Sequence, residues 1–365
     1  MRRGRPPTIL HVVGTRPNFM KVAPVMKALD EMPTLRQTLV HTGQHYDEQM
    51  SKVFFDQLDL PRPDANLGVG SGTNTYQVAH AMLELEAYIG ERAPDAILVY
   101  GDVNATVAAS MVGVRHGIIC AHVEAGLRSG DRSMPEEMNR ILTDHMCEMH
   151  FTPSSDADEN LLLEGIGPAG VHLVGNVMID TLVTHLPAAE AASRRLKIDL
   201  PFGLVTLHRP ATVDDAGMLK NVIRTLEEIG ERLPLIFPVH PRTRRQLDGM
   251  GILASLNNVR LIDPLDYLSF LGLERLATVV ITDSGGIQEE TSYLGVPCIT
   301  VRDTTERPIT VSMGTNTIVG FDMDRLRGEV ARVLDEEISK GSVPPSWDGH
   351  AGERIAKLMS DRLDN

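Results

Sequence analysis

The sequence predicts an α/β protein of two domains, each a parallel sheet with helices on both faces. At 365 residues the chain exceeds the roughly 250–300 residues at which a single hydrophobic core stops growing. Short apolar segments alternate with stretches of helical period in both halves, the pattern of parallel β-α-β units. The polar residues that end these segments recur in the same order in the second half, as expected of a structural repeat.

The first strand reads Thr8 to Val13 and runs into Gly14-Thr15-Arg16-Pro17. Met20, Ala23, Val25, Met26 and Leu29 then give a helix with one apolar face. Strands follow at 37–41, 96–100 and 118–123, with helices over 75–91 and 106–116 between them. The second half gives strands at 204–207, 235–239, 259–262, 279–282 and 298–301. Residues 185–192, which include Pro187, read as a linker and helix, and 352–363 as a last helix after the Pro344-Pro345 break. Arg16-Pro17 and Arg209-Pro210 each end a first strand, Asp102 and Asp283 each end a later one, and the segment 117–123 pairs with 295–301. Two such Rossmann-like sheets facing each other are expected to direct these strand-end residues into one interdomain cleft, because ligands of open α/β sheets sit beyond the carboxyl ends of the strands.

Composition narrows the partners. The balance of 35 basic and 49 acidic residues leaves a net charge of −14 with no long run of either sign, which argues against nucleic acid or an anionic membrane. No apolar run approaches the ~18 residues of a membrane span, and the stretch behind the basic N-terminus is too short for a signal peptide. Cys120, Cys147 and Cys298 are far apart and in apolar surroundings, the pattern of buried thiols in a reducing, cytoplasmic compartment.

Several familiar site motifs are missing. There is no GxxxxGK[ST], and Gly68-Val-Gly70-Ser-Gly72 has neither the GxGxxG spacing nor a preceding strand. In the segment His145 to His150, read as a helix, residues five apart point about 140° apart, so one metal would not be held by both histidines. No metal or cofactor is expected. What remains is charge at strand ends. Asp283-Ser284-Gly285-Gly286 opens a helix whose N–H groups and dipole suit a phosphate, with Glu290 one turn inside as an acceptor for ribose hydroxyls; a plain N-cap is the alternative. Arg302 and Arg307 follow the next strand, where arginine suits a diphosphate or a surface salt bridge. In the first half Asp102, Glu124 and Glu136, with Arg16, Lys21 and His208, make a constellation for proton transfer in which converging carboxylates are expected to repel one another.

At these residues the chain resembles the non-hydrolysing UDP-N-acetylglucosamine 2-epimerases of the two-domain GT-B superfamily. The segments that carry the resemblance include Gly14-Thr-Arg-Pro17 with Lys21, Thr42-Gly-Gln-His45, Gly101-Asp102, His122-Val-Glu-Ala-Gly-Leu-Arg128, Pro135-Glu-Glu-Met-Asn-Arg140, Leu207-His-Arg209, Pro238-Val-His240, Asp283-Ser-Gly-Gly-Ile-Gln-Glu-Glu290 and Arg302-Asp-Thr-Thr-Glu-Arg-Pro308. The resemblance implies reversible inversion at C2 of UDP-GlcNAc to give UDP-ManNAc, through elimination of UDP to 2-acetamidoglucal and its re-addition. It implies Asp102, Glu124, Glu136 and His208 as catalytic residues. Arg16, Lys21, His240, Ser284, Gly285, Gly286, Glu290 and Arg307 are implied on the UDP-sugar. It further implies one domain over 1–177 joined by a C-terminal helix 350–365, a second over 178–349, and a homodimer. Asn18 stands where many members carry glutamate, Pro210-Ala211-Thr212 follows His-Arg, and Tyr46-Asp47 follows Gln-His in place of residues found in members regulated by a second UDP-GlcNAc. A modified UDP-HexNAc, a hydrolysing relative, a GT-B glycosyltransferase and a non-catalytic nucleotide-sugar binder are the alternatives; the carboxylate trio favours proton chemistry.

Overall fold

The computed structural model describes residues 5–43, 55, 57–252, 256–336 and 341–364, and of Arg16 only the backbone. The chain divides into two compact units, Met1–Thr181 together with Pro345–Asn365, and Leu182–Pro344.

The first unit runs β1 (Thr8–Val13), α1 (Arg16–Asp30), β2 (Arg36–His41), β3 (Ala65–Asn66), α2 (Asn74–Glu91), β4 (Ala96–Tyr100), α3 (Asn104–Arg115), β5 (Ile119–Val123), α4 (Pro135–Met146), β6 (Met149–Thr152), α5 (Ser155–Leu163) and β7 (Val171–Leu173). The strands form one parallel sheet in the order β3-β2-β1-β4-β5-β6-β7. Every residue of β4 is buried, which is why it reads as an unbroken apolar run: helices cover both faces of a parallel sheet. Leu10, Val12, Ile97 and Val99 pack with Leu85, Ala105, Ala108 and Val112 in one core. The strands β6 and β7 are additions to the sequence reading. Both are short and carry polar residues such as His150 and His172, so neither gives an apolar run.

Two sequence expectations are corrected. Residues 185–192 are not a linker; they lie inside α6 (Val177–Ser193), which holds Pro187. A proline removes one helical hydrogen bond, but burial of Leu182 and Ala189 against Leu271 holds the helix together. His145 and His150 do not share a helix, since α4 ends at Met146 and His150 belongs to β6. His150 is spent on backbone, its Nε2 on the Asp144 carbonyl at 2.7 Å and its Nδ1 on the Gly170 carbonyl at 3.1 Å.

The second unit runs, after α6, through β8 (Gly203–Thr206), α7 (Pro210–Val213), α8 (Ala216–Gly230), β9 (Leu235–Pro238), α9 (Pro241–Gly249), β10 (Val259–Ile262), α10 (Tyr267–Leu276), β11 (Val279–Thr282), α11 (Gly285–Leu294), β12 (Cys298–Thr300), α12 (Ile309–Ser312), β13 (Asn316–Ile318) and α13 (Met323–Asp335). Its parallel sheet is ordered β10-β9-β8-β11-β12-β13. That order matches the first six strands of the other sheet, with β8 in the place of β1, β11 of β4 and β12 of β5. The three pairings read from the sequence therefore fall on topologically equivalent strands: Arg-Pro after β1 and β8, aspartate after β4 and β11, and the matched segments at β5 and β12. Both sheets have the 3-2-1-4-5-6 order of a Rossmann-like fold.

The chain crosses out of the first unit inside α6, four residues later than 177, and returns at Pro345. The first turn of α6 is bound into the first unit by the Thr181 hydroxyl, which donates to the Met20 carbonyl at 2.5 Å. Asp180 accepts Ala351 N (3.1 Å) and Gly352 N (2.7 Å) at the start of the last helix, α14 (Ala351–Asp364). Gly352 packs its Cα on the Pro24 carbonyl of α1, and Trp347 Nε1 donates to the Pro153 carbonyl at 2.8 Å.

Gly175, at φ +90°, lies against the Ser346 carbonyl, and a Cβ there would collide with it. Gly175→Ala is expected to cost about 2–5 kcal/mol, the sum of a left-handed backbone penalty and overpacking. Gly165→Ala has φ +86° but open space, so only the backbone penalty of about 1–2 kcal/mol applies. Urea midpoints compare the two, and equal losses would show that the Ser346 contact contributes nothing.

Candidate active site

In the first unit the polar residues gather where β4 and β5 end. Gly101 follows β4 at φ +62°, a left-handed turn that favours glycine, and Asp102 comes next. A Cβ on Gly101 would stand 2.6 Å from Lys21 Nζ and 3.1 Å from Glu124 Oε2. The Lys21–Glu124 ion pair, buried on both sides, thus packs directly on this turn. Glu124 adopts φ +72°, an uncommon conformation for a residue other than glycine. It is fixed from both sides: Glu124 N and Ala125 N donate to the Phe151 carbonyl at 3.0 and 3.2 Å, and Gly126 N to Asp144 Oδ2 at 3.1 Å.

The Asp102 carboxylate pairs with Arg140, and its backbone carbonyl accepts Asn139 Nδ2 at 2.9 Å. Arg140 also reaches Glu137 Oε2 through Nη2 at 2.7 Å. Burial alone would raise the Glu137 carboxyl, but the N–H groups of Ser129 and Gly130 and the Arg140 guanidinium hold it below the usual range. The expected picture of three carboxylates repelling one another is therefore replaced: Asp102 and Glu124 each face a cation. Glu136 is exposed on the first turn of α4, whereas its neighbour Glu137 is buried and bound. Asn18 explains its own departure from the family pattern. Its Oδ1 accepts Gly14 N and Thr15 N at 3.0 and 3.1 Å while its Nδ2 donates to the Tyr100 carbonyl at 2.8 Å, a donor that an ionised glutamate does not have. The Arg16 side chain and the segment from Gln44 to Asp47 lie outside the described residues.

In the second unit Asp283, fully buried after β11, does not cap α11. It accepts His208 N (3.1 Å) and Arg209 N (2.9 Å) from the turn after β8, and His208 Nδ1 lies 3.2 Å from its Oδ1. Burial lowers the His208 pKa most; Asp283 opposes this, while Arg209 and Arg302 add to it. The exposed His240 ring lies 6.0 Å from that of His208, and its Nδ1 caps α9 by accepting Arg242 N at 3.2 Å.

Ser284 precedes α11 without capping it through its side chain, so its hydroxyl and the first-turn N–H groups remain for another acceptor. Gly285 lets the loop side chains approach closely: a Cβ there would stand 2.6 Å from both Arg307 Nη1 and Glu306 Oε1. Glu306 is ringed by Arg307 (2.5 Å), Arg302 (2.7 Å) and Arg209 (3.6 Å). Burial would raise its pKa, but these three cations push it far below the carboxylate range. Arg307 Nε also meets Glu289 at 2.8 Å. The loop that carries Arg302 and Arg307 is fastened to α11 through Gln288, whose Oε1 accepts the Thr305 hydroxyl at 2.6 Å and Asn316 Nδ2 at 3.0 Å. Glu290 is buried, with the Tyr267 hydroxyl donating to it at 3.1 Å. Burial pushes its carboxyl up to about 7, hydrogen bonds from Glu274 and Tyr267 pull it back, and Glu289 raises it. Glu274, fully buried, is pushed well above the usual range by burial and by Glu290.

Residues without a role in the sequence reading are among those that hold the others: Glu137, Asn139, Arg140 and Asp144 on α4, and Arg209 and Glu306 in the second unit, beside Asp283 and Arg302. Their signal in the sequence was spacing, since residues 137, 140 and 144 fall on one helical face. Among the described residues no group of three histidine, cysteine or acidic side chains is placed to hold a metal ion, and no helix is long and apolar enough to cross a membrane.

Comparison with known proteins identifies relatives over nearly the whole chain. The family model described as UDP-N-acetylglucosamine 2-epimerase matches residues 27–360. The UDP-N-acetylglucosamine 2-epimerase of Methanocaldococcus jannaschii is 41% identical over 360 residues, 96% of this chain and 98% of the relative. The UDP-2,3-diacetamido-2,3-dideoxy-D-glucuronate 2-epimerase of Pseudomonas aeruginosa is 37% identical over 355 residues, 96% of this chain and 99% of the relative. A crystal structure of the Methanocaldococcus jannaschii UDP-GlcNAc 2-epimerase in complex with UDP-GlcNAc and UDP superimposes with a TM-score of 0.90, covering 97% of this chain and 99% of that one at 40% identity. With the family's motifs in order along two parallel-sheet units and a match that spans nearly its whole length, the chain belongs to the UDP-N-acetylglucosamine 2-epimerase family of isomerases.

Proposed function

We propose that the protein interconverts UDP-GlcNAc and UDP-ManNAc by eliminating UDP to 2-acetamidoglucal and adding it back after protonation of the opposite face of C2. The observation that carries the reading is the cluster at Gly101, where Asp102, Glu124 and Lys21 meet around one turn. A C2 proton is weakly acidic, so its removal must be coupled to rupture of the C1–O bond. The electron pair of C2–H becomes the C1–C2 double bond, the C1–O pair leaves with UDP, and the proton goes to a carboxylate. Such a step calls for bases and cations fixed in advance of the charge they meet. Asp102, Glu124 and Glu136 serve as the acid–base set and Lys21 as the nearby cation. The start of α11 (Ser284, Gly285, Gly286), Arg307, Arg16, His208 and His240 take the diphosphate, and Glu290 takes the ribose. The reading carries with it a cytoplasmic homodimer, checked by sedimentation velocity and cell fractionation.

Incubation with UDP-GlcNAc in D₂O, followed by NMR, tests the proposal: UDP-ManNAc with deuterium at C2 is expected. Free ManNAc would indicate hydrolysis, and intact substrate without exchange would overturn the reading for this sugar. The 37% identity to the Pseudomonas aeruginosa enzyme supports a second substrate, UDP-2,3-diacetamido-2,3-dideoxy-D-glucuronate, to be run beside the first.

A pH dependence follows from Glu290. An ionised carboxylate accepts ribose hydroxyls more strongly than the neutral acid does, and burial pushes the Glu290 carboxyl up to about 7. Affinity for UDP-GlcNAc, whose diphosphate diester does not titrate there, is therefore expected to fall below pH 7 by up to about tenfold per pH unit. Glu290→Gln should flatten this slope. Calorimetric titrations from pH 5.5 to 8 check it, and a wild-type affinity constant over that range would refute an ionised Glu290 at the ribose.

A further inference from the structure

We propose that His122 and Asp144 form a buried positioning pair that fixes the Gly101–Asp102 turn relative to Glu124 for proton transfer; this rests on the epimerase reading above. Neither side chain is open to solvent, so neither is placed to touch substrate. His122 Nε2 lies 2.8 Å from the Gly101 carbonyl, and Nδ1 lies 2.6 Å from Asp144 Oδ1. A carbonyl only accepts, and the Asp144 carboxyl is held below the usual range: burial would raise it, but His122 and Arg128 outweigh burial. With an acceptor opposite each ring nitrogen, the bonds are complete only when both nitrogens carry hydrogen.

The second oxygen of Asp144 holds the other side of the site. It accepts Gly126 N at 3.1 Å and meets Arg128 Nη1 at 2.8 Å, while Arg128 in turn grips Glu164 with two nitrogens at 2.7 and 2.8 Å. One carboxylate thus ties together the turn that carries Asp102, through His122 and Gly101, and the turn that carries Glu124, through Gly126. It does so from α4, the helix that also supplies Asn139 and Arg140 to Asp102 and bears Glu136 on its first turn. Gly101 is clasped twice by β5, since its own N–H donates to the Val123 carbonyl at 3.0 Å. Loss of the His122 bond would release its carbonyl end alone and let Asp102 drift. Misplacement by about 1 Å is enough to slow an enzyme on the order of 100-fold.

The test uses the two amides that each copy half of the ring. Glutamine places a donor where Nε2 stands and keeps the Gly101 bond; asparagine places one where Nδ1 stands and keeps only Asp144. His122→Asn is expected to lower kcat about 10- to 100-fold with KM within about threefold. His122→Gln is expected to retain kcat within about fivefold, although both variants lose stability. Wild-type protein labelled with ¹⁵N-histidine should show two slowly exchanging ring N–H protons on His122, absent from both variants. Equal kcat losses in the two variants, a loss that tracks their urea midpoints, or a single ring N–H would overturn the proposal. Absence of C2 exchange in the wild type while both ring protons are present would instead count against the epimerase reading.

Discussion

Asp102→Asn is expected to leave the affinity for UDP within about threefold while lowering kcat on the order of 10²–10⁴-fold, the range for removal of a general acid–base group. The substitution keeps size and leaves an oxygen to accept from Arg140, and the backbone bond from Asn139 to the Asp102 carbonyl is untouched. What disappears is the negative charge opposite Arg140 and, with it, the capacity to take and return a proton. Folding should change little, because the side chain is partly exposed and its guanidinium partner keeps Glu137. Calorimetry with UDP and deuterium incorporation at C2 separate binding from turnover. Weakened UDP binding with unchanged turnover of bound substrate would remove Asp102 from the proton-transfer set.

The parts of the fold that could be read in the sequence are those whose burial leaves an apolar record. β4 and β11 are buried at every position, so each reads as an apolar run with an aspartate within two residues of its carboxyl end. That coupling is why Asp102, Glu124 and Ser284 could be picked out along with the strands before them. β6, β7 and β13 left no such record, being three or four residues long with histidine, threonine or asparagine in them. α6 misled for the opposite reason: Pro187 is a strong local breaker signal, and the contacts of Leu182 and Ala189 that outweigh it are made with a residue far along the chain.

The site divides in the same way. Strand-end residues announce themselves by interrupting an apolar run. Their buried partners do not, because Glu137, Arg140 and Asp144 look like the polar face of an ordinary surface helix until α4 is docked. The reading of crowded, mutually repelling carboxylates failed on this point. Sequence lists the acids of a site and its cations separately, and only the folded chain pairs Glu124 with Lys21 and Asp102 with Arg140. Pairing also changes what substitution does, since removing one member leaves the other charged and desolvated.

That consequence is largest at Arg307→Ala. Arg307 joins two acidic side chains that are almost wholly buried, Glu289 at 2.8 Å and Glu306 at 2.5 Å. Glu306 keeps Arg302 and Arg209, while Glu289 loses the Arg307 contact, and breaking a buried pair in this way costs about 3–5 kcal/mol. If the same guanidinium takes the diphosphate at the start of α11, UDP affinity should fall about 30- to 100-fold, as for loss of a charge-assisted, bidentate contact. The two losses have different origins and are separable. Glu289→Gln added to Arg307→Ala removes the buried charge that Arg307 faced, so it should restore part of the stability and none of the affinity. Arg307→Lys keeps a charge without the planar fork and should fall between wild type and alanine in both measurements. Urea unfolding and calorimetric titration with UDP on the four proteins resolve the matter. An Arg307→Ala protein that is destabilised yet binds UDP as tightly as the wild type would show that the guanidinium serves the loop and α11 alone, and that the diphosphate is held elsewhere.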